Sequence, residues 1–249
     1  MDAASSCRLL DWDTAFFGRR IASAGEHARG REEMERALEW CRARSIDCLY
    51  LLVSAADDAT LRLAREHAFD MVDIRVTCDM QLGRADAAAG RAREIRLARE
   101  SDIPDLRLIA ALSHTDSRFY ADGRFARERC DELYATWIEK SCRGWADAVF
   151  VAEHEGTPAG YLSCHERESG RGEIGLVGIA ARAQGRGLGR KLLGSALHWF
   201  AQRGLERASV VTQGRNVAAQ RLYQSAGFRT AAVQLWHHRW FTGEAPSRP

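Results

Sequence analysis

The chain has no CxxC or CxxH spacing, almost no net charge, and no apolar run of about 18 residues or more. Its seven cysteines, an odd number without paired spacing, exclude the common zinc frameworks. They read as buried free thiols of a reducing compartment, so no metal site is expected and a cytoplasmic location is. The missing apolar run argues against a membrane-spanning helix, and residues 1–8 lack the apolar stretch of a signal peptide. A formal charge of +2 gives no overall field to attract nucleic acid. The abundant arginines alternate with acids, as in Arg31-Glu32-Glu33 and Arg127-Glu128-Arg129, which reads as a mixed, solvated surface.

Two phosphate-binding signatures are also missing. A Walker A loop needs GxxxxGK followed by Ser or Thr, but Lys191 follows Arg190 and precedes Leu192. A dinucleotide fingerprint needs GxGxxG and an acidic residue after the next strand. Here the glycines are spaced GxGxG, and Glu206 comes before the apolar run Ala208 to Thr212.

What remains is a different cradle. A β-prone run from Glu173 to Ile179 leads into Gln184-Gly185-Arg186-Gly187-Leu188-Gly189, and a helix-prone run from Lys191 to Gln202 leads out. Glycines let a backbone approach phosphate closely, and the first amides of the helix point at the anion. Past the next apolar run, Asn216, Ala219, Tyr223, Gly227 and Phe228 form the series NxxAxxxYxxxGF. Asn216 suits an N-cap, Gly227 suits the position past a helix end, and Ala219 and Tyr223 share one face.

These two motifs, in this order with a strand between them, resemble the GNAT superfamily of N-acetyltransferases. Gln184 to Gly189 matches its Q/RxxGxG/A acyl-CoA motif, and Asn216 and Tyr223 match its Asn-led helix carrying a tyrosine. The resemblance implies acetyl-CoA as donor, with its pyrophosphate on the backbone of Gln184, Gly185, Arg186, Gly187, Leu188, Gly189 and Arg190. It implies pantetheine along Val177, Gly178 and Ile179, beside Asn216 and Ala219, and a general-acid role for Tyr223 at the leaving sulfur. Asp73 is the implied base. Glu173, His165, Glu166 and solvent remain open for that role.

The 249 residues suit one or two domains, and 46% hydrophobic residues supply a sizeable core. The expected fold is α/β, an α+β mixed sheet, with a GNAT acetyltransferase fold at the C-terminal end and a partial GNAT-like domain before it. The expected boundaries are 1–83 for the partial domain, 84–93 for an Ala/Gly/Arg-rich linker, 94–241 for the catalytic domain and 242–249 for a tail. Laying Leu51–Val76 over Val210–Leu235, an offset of 159, matches Ala59 with Ala218, Arg62 with Arg221, Leu63 with Leu222 and Phe69 with Phe228. Tyr223 meets Ala64 and Asn216 meets Asp57, so the first copy lacks the cofactor residues.

The opening Leu10-Asp11-Trp12-Asp13-Thr14-Ala15-Phe16-Phe17-Gly18 resembles the dTDP-fucosamine acetyltransferases and related amino-sugar nucleotide enzymes, as do Ser117-Arg118-Phe119-Tyr120 and Tyr134 to Ile138. That likeness implies acetylation of the 4-amino group of a dTDP-linked 4-amino-4,6-dideoxyhexose, for surface polysaccharide. Trp12, Phe16, Phe17, Arg118 and Phe119 become candidates for holding the acceptor, or else core aromatics and a surface ion pair. An acceptor that is another amine, or a protein amine, stays open. By analogy with the superfamily a homodimer is expected, with the final strand as a pairing edge.

Overall fold

The computed structural model describes residues 7–25, 30–83, 92–168 and 170–241. Its strands are β1 (Cys7–Leu9), β2 (Ile21–Ala24), β3 (Cys48–Ser54), β4 (Asp70–Gln81), β5 (Ile95–Leu97), β6 (Ala148–His154), β7 (Thr157–Arg167), β8 (Arg171–Ile179), β9 (Arg207–Gln213) and β10 (Arg229–Trp240). Its helices are α1 (Asp11–Phe17), α2 (Arg31–Ala43), α3 (Asp58–Glu66), α4 (Ile103–Ser113), α5 (Arg118–Asp122), α6 (Arg127–Lys140), α7 (Leu188–Gln202) and α8 (Val217–Ser225).

The chain forms two compact units. The first gathers Met1–Arg75, Ser117–Ala126 and Ala232–Pro249; the second gathers Val76–Asp116 and Arg127–Ala231. This division runs differently from the linear boundaries read from composition, because Ser117–Ala126 and Ala232–Pro249 belong with the N-terminal strands. A shift in composition marks a weakly packed stretch of chain and says nothing about which distant segments pack together. Most of the sequence-expected linker 84–93, and the tail 242–249, lie outside the described residues.

In the first unit β1 lies antiparallel to β2, β2 parallel to β3, and β10 antiparallel to β3 from Gln234↔Ser54 to Trp240↔Cys48. Alternation along β3 sends Leu49, Leu51 and Val53 into a core with Met34, Ala37, Leu38 and Cys41 of α2, which recur at helical spacing. β10 stands between β3 and β4 in strand order, so it has no free edge to pair across a two-fold axis. That route to the expected homodimer is corrected.

In the second unit the order is β9-β8-β7-β6-β5, antiparallel except for the parallel β8–β9 pair. Glu155 and Gly156, both with positive φ, close the two-residue β6–β7 hairpin. Pro158 is the second residue of β7 and lies opposite Glu153. Helix α7 buries Leu192, Leu193, Ala196, Leu197 and Phe200. Arg96 of β5 is held by Asp102 at 2.7 and 2.8 Å and by Glu153 at 2.7 Å, which ties the edge strand to the start of α4. No helix among the described residues is long and apolar enough to cross a membrane.

The internal copy is visible in the structure. β3 and β9, α3 and α8, and β4 and β10 have bounds that differ throughout by 159 residues. Both helices carry the same cap: Asp57 accepts from the Thr60 amide at 3.1 Å, and Asn216 from the Ala219 amide at 3.0 Å. The parallel pairs match as well, since Ile21↔Cys48 to Ser23↔Tyr50 corresponds to Arg171↔Arg207 to Glu173↔Ser209.

Candidate active site

A cleft of about 1030 Å³ opens in the second unit, where β8 leaves β9. The two strands pair from Arg171↔Arg207 to Ile174↔Val210, and pairing ends there. Beyond it, Gly175–Ile179 of β8 and Val211–Gln213 of β9 line the cleft. The local cause is a bulge against β7: Leu162 faces Val177 and Cys164 faces Ile174, so Ser163 alone opposes Gly175 and Leu176. A bulge bends its strand and increases the local twist. The Ser163 hydroxyl secures it by accepting from the Leu176 amide at 2.8 Å. A Cβ on Gly175 would stand 2.7 Å from both Ser163 Oγ and His165 Nε2, so only glycine fits the bend. The outcome is a strand edge left open for an extended ligand.

The glycine-rich turn lies at one end of this cleft. Gly185 and Gly187 both take φ +75°, the left-handed region that side chains with a Cβ rarely adopt. Gly187 caps α7 with no side chain to serve the helix amides. The first amides of an α-helix have no carbonyl partner within it, so those of Leu188, Gly189 and Arg190 are offered outward. Gln184, Gly185, Gly187, Leu188, Gly189 and Arg190 all line the cleft, while Arg186 is exposed and outside the lining.

Helix α8 supplies the opposite wall with Asn216, Ala219 and Tyr223. The Asn216 carboxamide oxygen is committed to the cap, which leaves its NH₂ for a ligand. The Ala219 amide is the donor in that cap, so Ala219 gives the cleft only a small methyl surface. Tyr223 is buried, with its ring 5.9 Å from that of Phe228. Burial, reinforced by the Cys78 thiol, pushes its phenol well above the usual tyrosine range. The buried phenol therefore keeps its proton at neutral pH.

The remaining candidates separate. Asp73 is a buried carboxylate on β4 in the first unit and accepts from the Ile74 amide at 2.8 Å. Glu173 is held by Arg167 at 2.9 Å, which lowers its pKa and weakens it as a base. Glu166 is paired with Arg203. His165 is buried beside Gly175, and burial lowers its pKa. Cys164 is buried, and burial raises its thiol far above the nucleophilic range.

Trp12, Phe16, Phe17, Arg118 and Phe119 come together in the first unit. Trp12 stacks on Phe16 at 4.9 Å and Phe17 on Phe119 at 5.4 Å. No residue of α1 is fully buried, so its aromatics form a half-exposed cluster rather than a sealed core. Arg118 forms no carboxylate ion pair among the described residues, so the surface ion pair read as an alternative is corrected. Cys48, Asp122 and His238 lie close enough to share a cation, but both ring nitrogens of His238 already have partners and the Arg118 charge adjoins them.

One pair at the cleft wall was not singled out from sequence. His114 lines the cleft, stacks on Tyr134 at 4.4 Å, and shares a 2.8 Å hydrogen bond with the hydroxyl of Tyr161, the cross-strand neighbour of Gly178. Burial takes the His114 pKa down to about 4, so the ring is neutral at pH 7. Forty-seven residues separate the two, and no local pattern joins them.

Similarities to known proteins fall along the same lines. Residues 109–228 match the Acetyltransferase (GNAT) family. The chain is 28% identical over 242 residues to the dTDP-fucosamine acetyltransferase of Escherichia coli O6:H1 strain CFT073, covering 96% of this chain and 100% of that one. It is 27% identical to the spore coat polysaccharide biosynthesis protein SpsD of Bacillus subtilis strain 168, over 55% of this chain and 47% of that one. Its fold resembles a GCN5-related N-acetyltransferase of Sphaerobacter thermophilus, with a TM-score of 0.64 at 18% identity over 94% of this chain and 76% of that one. The matched stretch contains the strand splay, the glycine turn and the Tyr223 helix, and the chain carries an acetyltransferase domain of the GNAT family, whose members take the acetyl group from acetyl-CoA.

Proposed function

We propose that the protein acetylates the 4-amino group of a dTDP-linked 4-amino-4,6-dideoxyhexose, by direct attack of the amine, in surface-polysaccharide synthesis. The observation that carries this reading is the extent of the likeness to the dTDP-fucosamine acetyltransferase. It spans both units rather than the 109–228 domain alone. The name of the Bacillus relative, a polysaccharide biosynthesis protein, agrees with it. That all seven cysteines are free supports a cytoplasmic location.

Acetyl-CoA supplies an activated thioester. The residues of the cleft fit such a ligand at three points: left-handed glycines with outward amides for its phosphates, an open strand edge for its amide-bearing arm, and a buried phenol for its sulfur. Gln184, Gly185 and Gly187 to Arg190 hold the anion, with Arg186 outside the lining, and Val177 to Ile179 offer backbone groups as a neighbouring strand would. Tyr223 keeps a proton for the sulfur that leaves, and Asp73 takes the proton that the amine loses. Trp12, Phe16, Phe17, Arg118 and Phe119 recognise the acceptor.

A second reading, acetylation of another small amine or a protein amine, is favoured by the position of the whole cofactor cleft inside the family-wide domain. The test between them is thermal stabilisation by dTDP. A ligand at about 100 times its Kd adds about 2.7 kcal/mol, so saturating dTDP raises Tm by several degrees if the acceptor is a dTDP sugar. No shift with dTDP, beside a clear shift with acetyl-CoA, turns the assignment to the second reading.

A further inference from the structure

We propose that Arg118 is the anchor for the acceptor's diphosphate and that His238 and Asp122 are positioning residues that hold its guanidinium ready. The proposal rests on the nucleotide-sugar reading and adds the part of the first unit that recognises the anion.

Alternation along β10 puts Trp236, His238 and Trp240 on one face, and their register partners on β3 put Tyr50 and Cys48 beside them. Arg118, the first residue of α5, lies against this aromatic face. Its guanidinium carbon is 4.1 Å from the ring centre of Tyr50, 4.2 Å from that of Trp236 and 4.4 Å from that of Phe119. One terminal nitrogen is 3.0 Å from His238 Nε2.

That hydrogen bond dictates the state of the histidine. A guanidinium only donates, so Nε2 must accept and the ring proton must be on Nδ1. Nδ1 faces the Asp122 carboxylate, which takes that proton in a hydrogen bond. Asp122 is itself fixed by the indole N–H of Trp240, at 3.0 and 3.2 Å. The ring stacks on Tyr50 at 4.4 Å. Burial outweighs the pull of Asp122 and keeps His238 neutral, with its pKa down to about 4.

A structural arginine in this fold looks different. Arg96 sits between two carboxylates, and Arg107 is paired with Glu132 and Glu139. Arg118 has a neutral imidazole instead, and among the described residues that is its one hydrogen bond. The Arg118 charge is also felt by half-buried Asp13, with which it forms no ion pair. The rest of the guanidinium fork is held in place with donors to spare, the arrangement suited to bidentate phosphate oxygens. Fixing the side chain beforehand removes the entropy loss that binding would otherwise carry.

The test measures the KM for the dTDP-amino sugar and competition by dTDP and by inorganic pyrophosphate. Arg118→Met should raise the sugar KM and the dTDP Ki about tenfold or more, with kcat and the acetyl-CoA KM little changed. Asp122→Asn is isosteric, but its amide donates to Nδ1 and drives the ring proton to Nε2, where it faces the guanidinium. It should raise the dTDP Ki severalfold in the wild-type background and have no further effect on Arg118→Met. His238→Phe keeps the ring volume on Tyr50 and removes the acceptor, so it repeats the comparison if Asp122→Asn folds poorly. A dTDP Ki untouched by Arg118→Met, or raised equally by Asp122→Asn in both backgrounds, overturns the inference and leaves the nucleotide-sugar reading standing. Absence of competition by dTDP in the wild type overturns that reading and the inference with it.

Discussion

Replacing Gly187 with alanine isolates the backbone contribution of the proposed phosphate cradle. The new Cβ would meet nothing within 4 Å, so no steric clash confuses the result. The cost comes from φ +75°, where an L-residue loses about 1–2 kcal/mol. This strain appears in one of two places. If the turn keeps its shape, stability falls by that amount and affinity is unchanged. If the turn relaxes, the amides of Leu188 to Arg190 lose their alignment, and acetyl-CoA must restore it. The Kd then rises by up to about 5- to 30-fold, at 1.4 kcal/mol per tenfold. Calorimetric titration with acetyl-CoA and thermal melting of the apo protein together measure both parts. Gly194→Ala is the control: it lies inside α7, also with open space around its Cβ, and should gain about 0.5–1 kcal/mol of stability without changing Kd. A Gly187→Ala variant with wild-type Tm and wild-type Kd would refute the cradle and leave an ordinary turn.

Further predictions address other parts of the site. Tyr223→Phe should lower kcat by about 10²-fold or more while leaving acetyl-CoA affinity nearly unchanged, and equal turnover removes its general-acid role. Asn216→Ala and Asp57→Ala delete equivalent caps and should each cost about 1 kcal/mol of stability, but only Asn216→Ala should weaken acetyl-CoA binding; an unchanged Kd reduces Asn216 to a cap. The pKa values of His114 and His238 are depressed to about 4, so the unfolded chain binds their protons first. Their stabilising effect is complete above about pH 6.5 and is lost as pH falls toward 4, so Tm should drop over that window and His114→Gln should flatten part of the drop. A Tm independent of pH between 6.5 and 4 contradicts the burial of both rings in the neutral form.

The residues that come together around the cleft were legible because they are local in sequence. Gln184 to Gly189 are contiguous, and Asn216, Ala219 and Tyr223 are spaced along one helix, so glycine spacing and helical periodicity revealed both. The internal copy was legible through four weak identities, because strand, helix and strand lengths were kept while side chains changed. The splay was not legible from the residues alone: it depends on Ser163 opposing two residues across a strand pair, a register that no single segment encodes. The Arg118–His238–Asp122 arrangement joins positions about 120 residues apart, and each looks ordinary in its own segment. The same holds for the grouping of Ser117–Ala126 and Ala232–Pro249 with the N-terminal strands, which follows from sheet pairing and core packing rather than from a change in composition.

The most direct test of the account is thiol release from acetyl-CoA in the presence of dTDP-4-amino-4,6-dideoxygalactose, beside the glucose epimer and a control with no acceptor. The account predicts release that depends on the sugar and matches the N-acetylated product one for one, with the ratio of the two epimers naming the natural acceptor. Acetyl-CoA binding without sugar-dependent release from either epimer would contradict it.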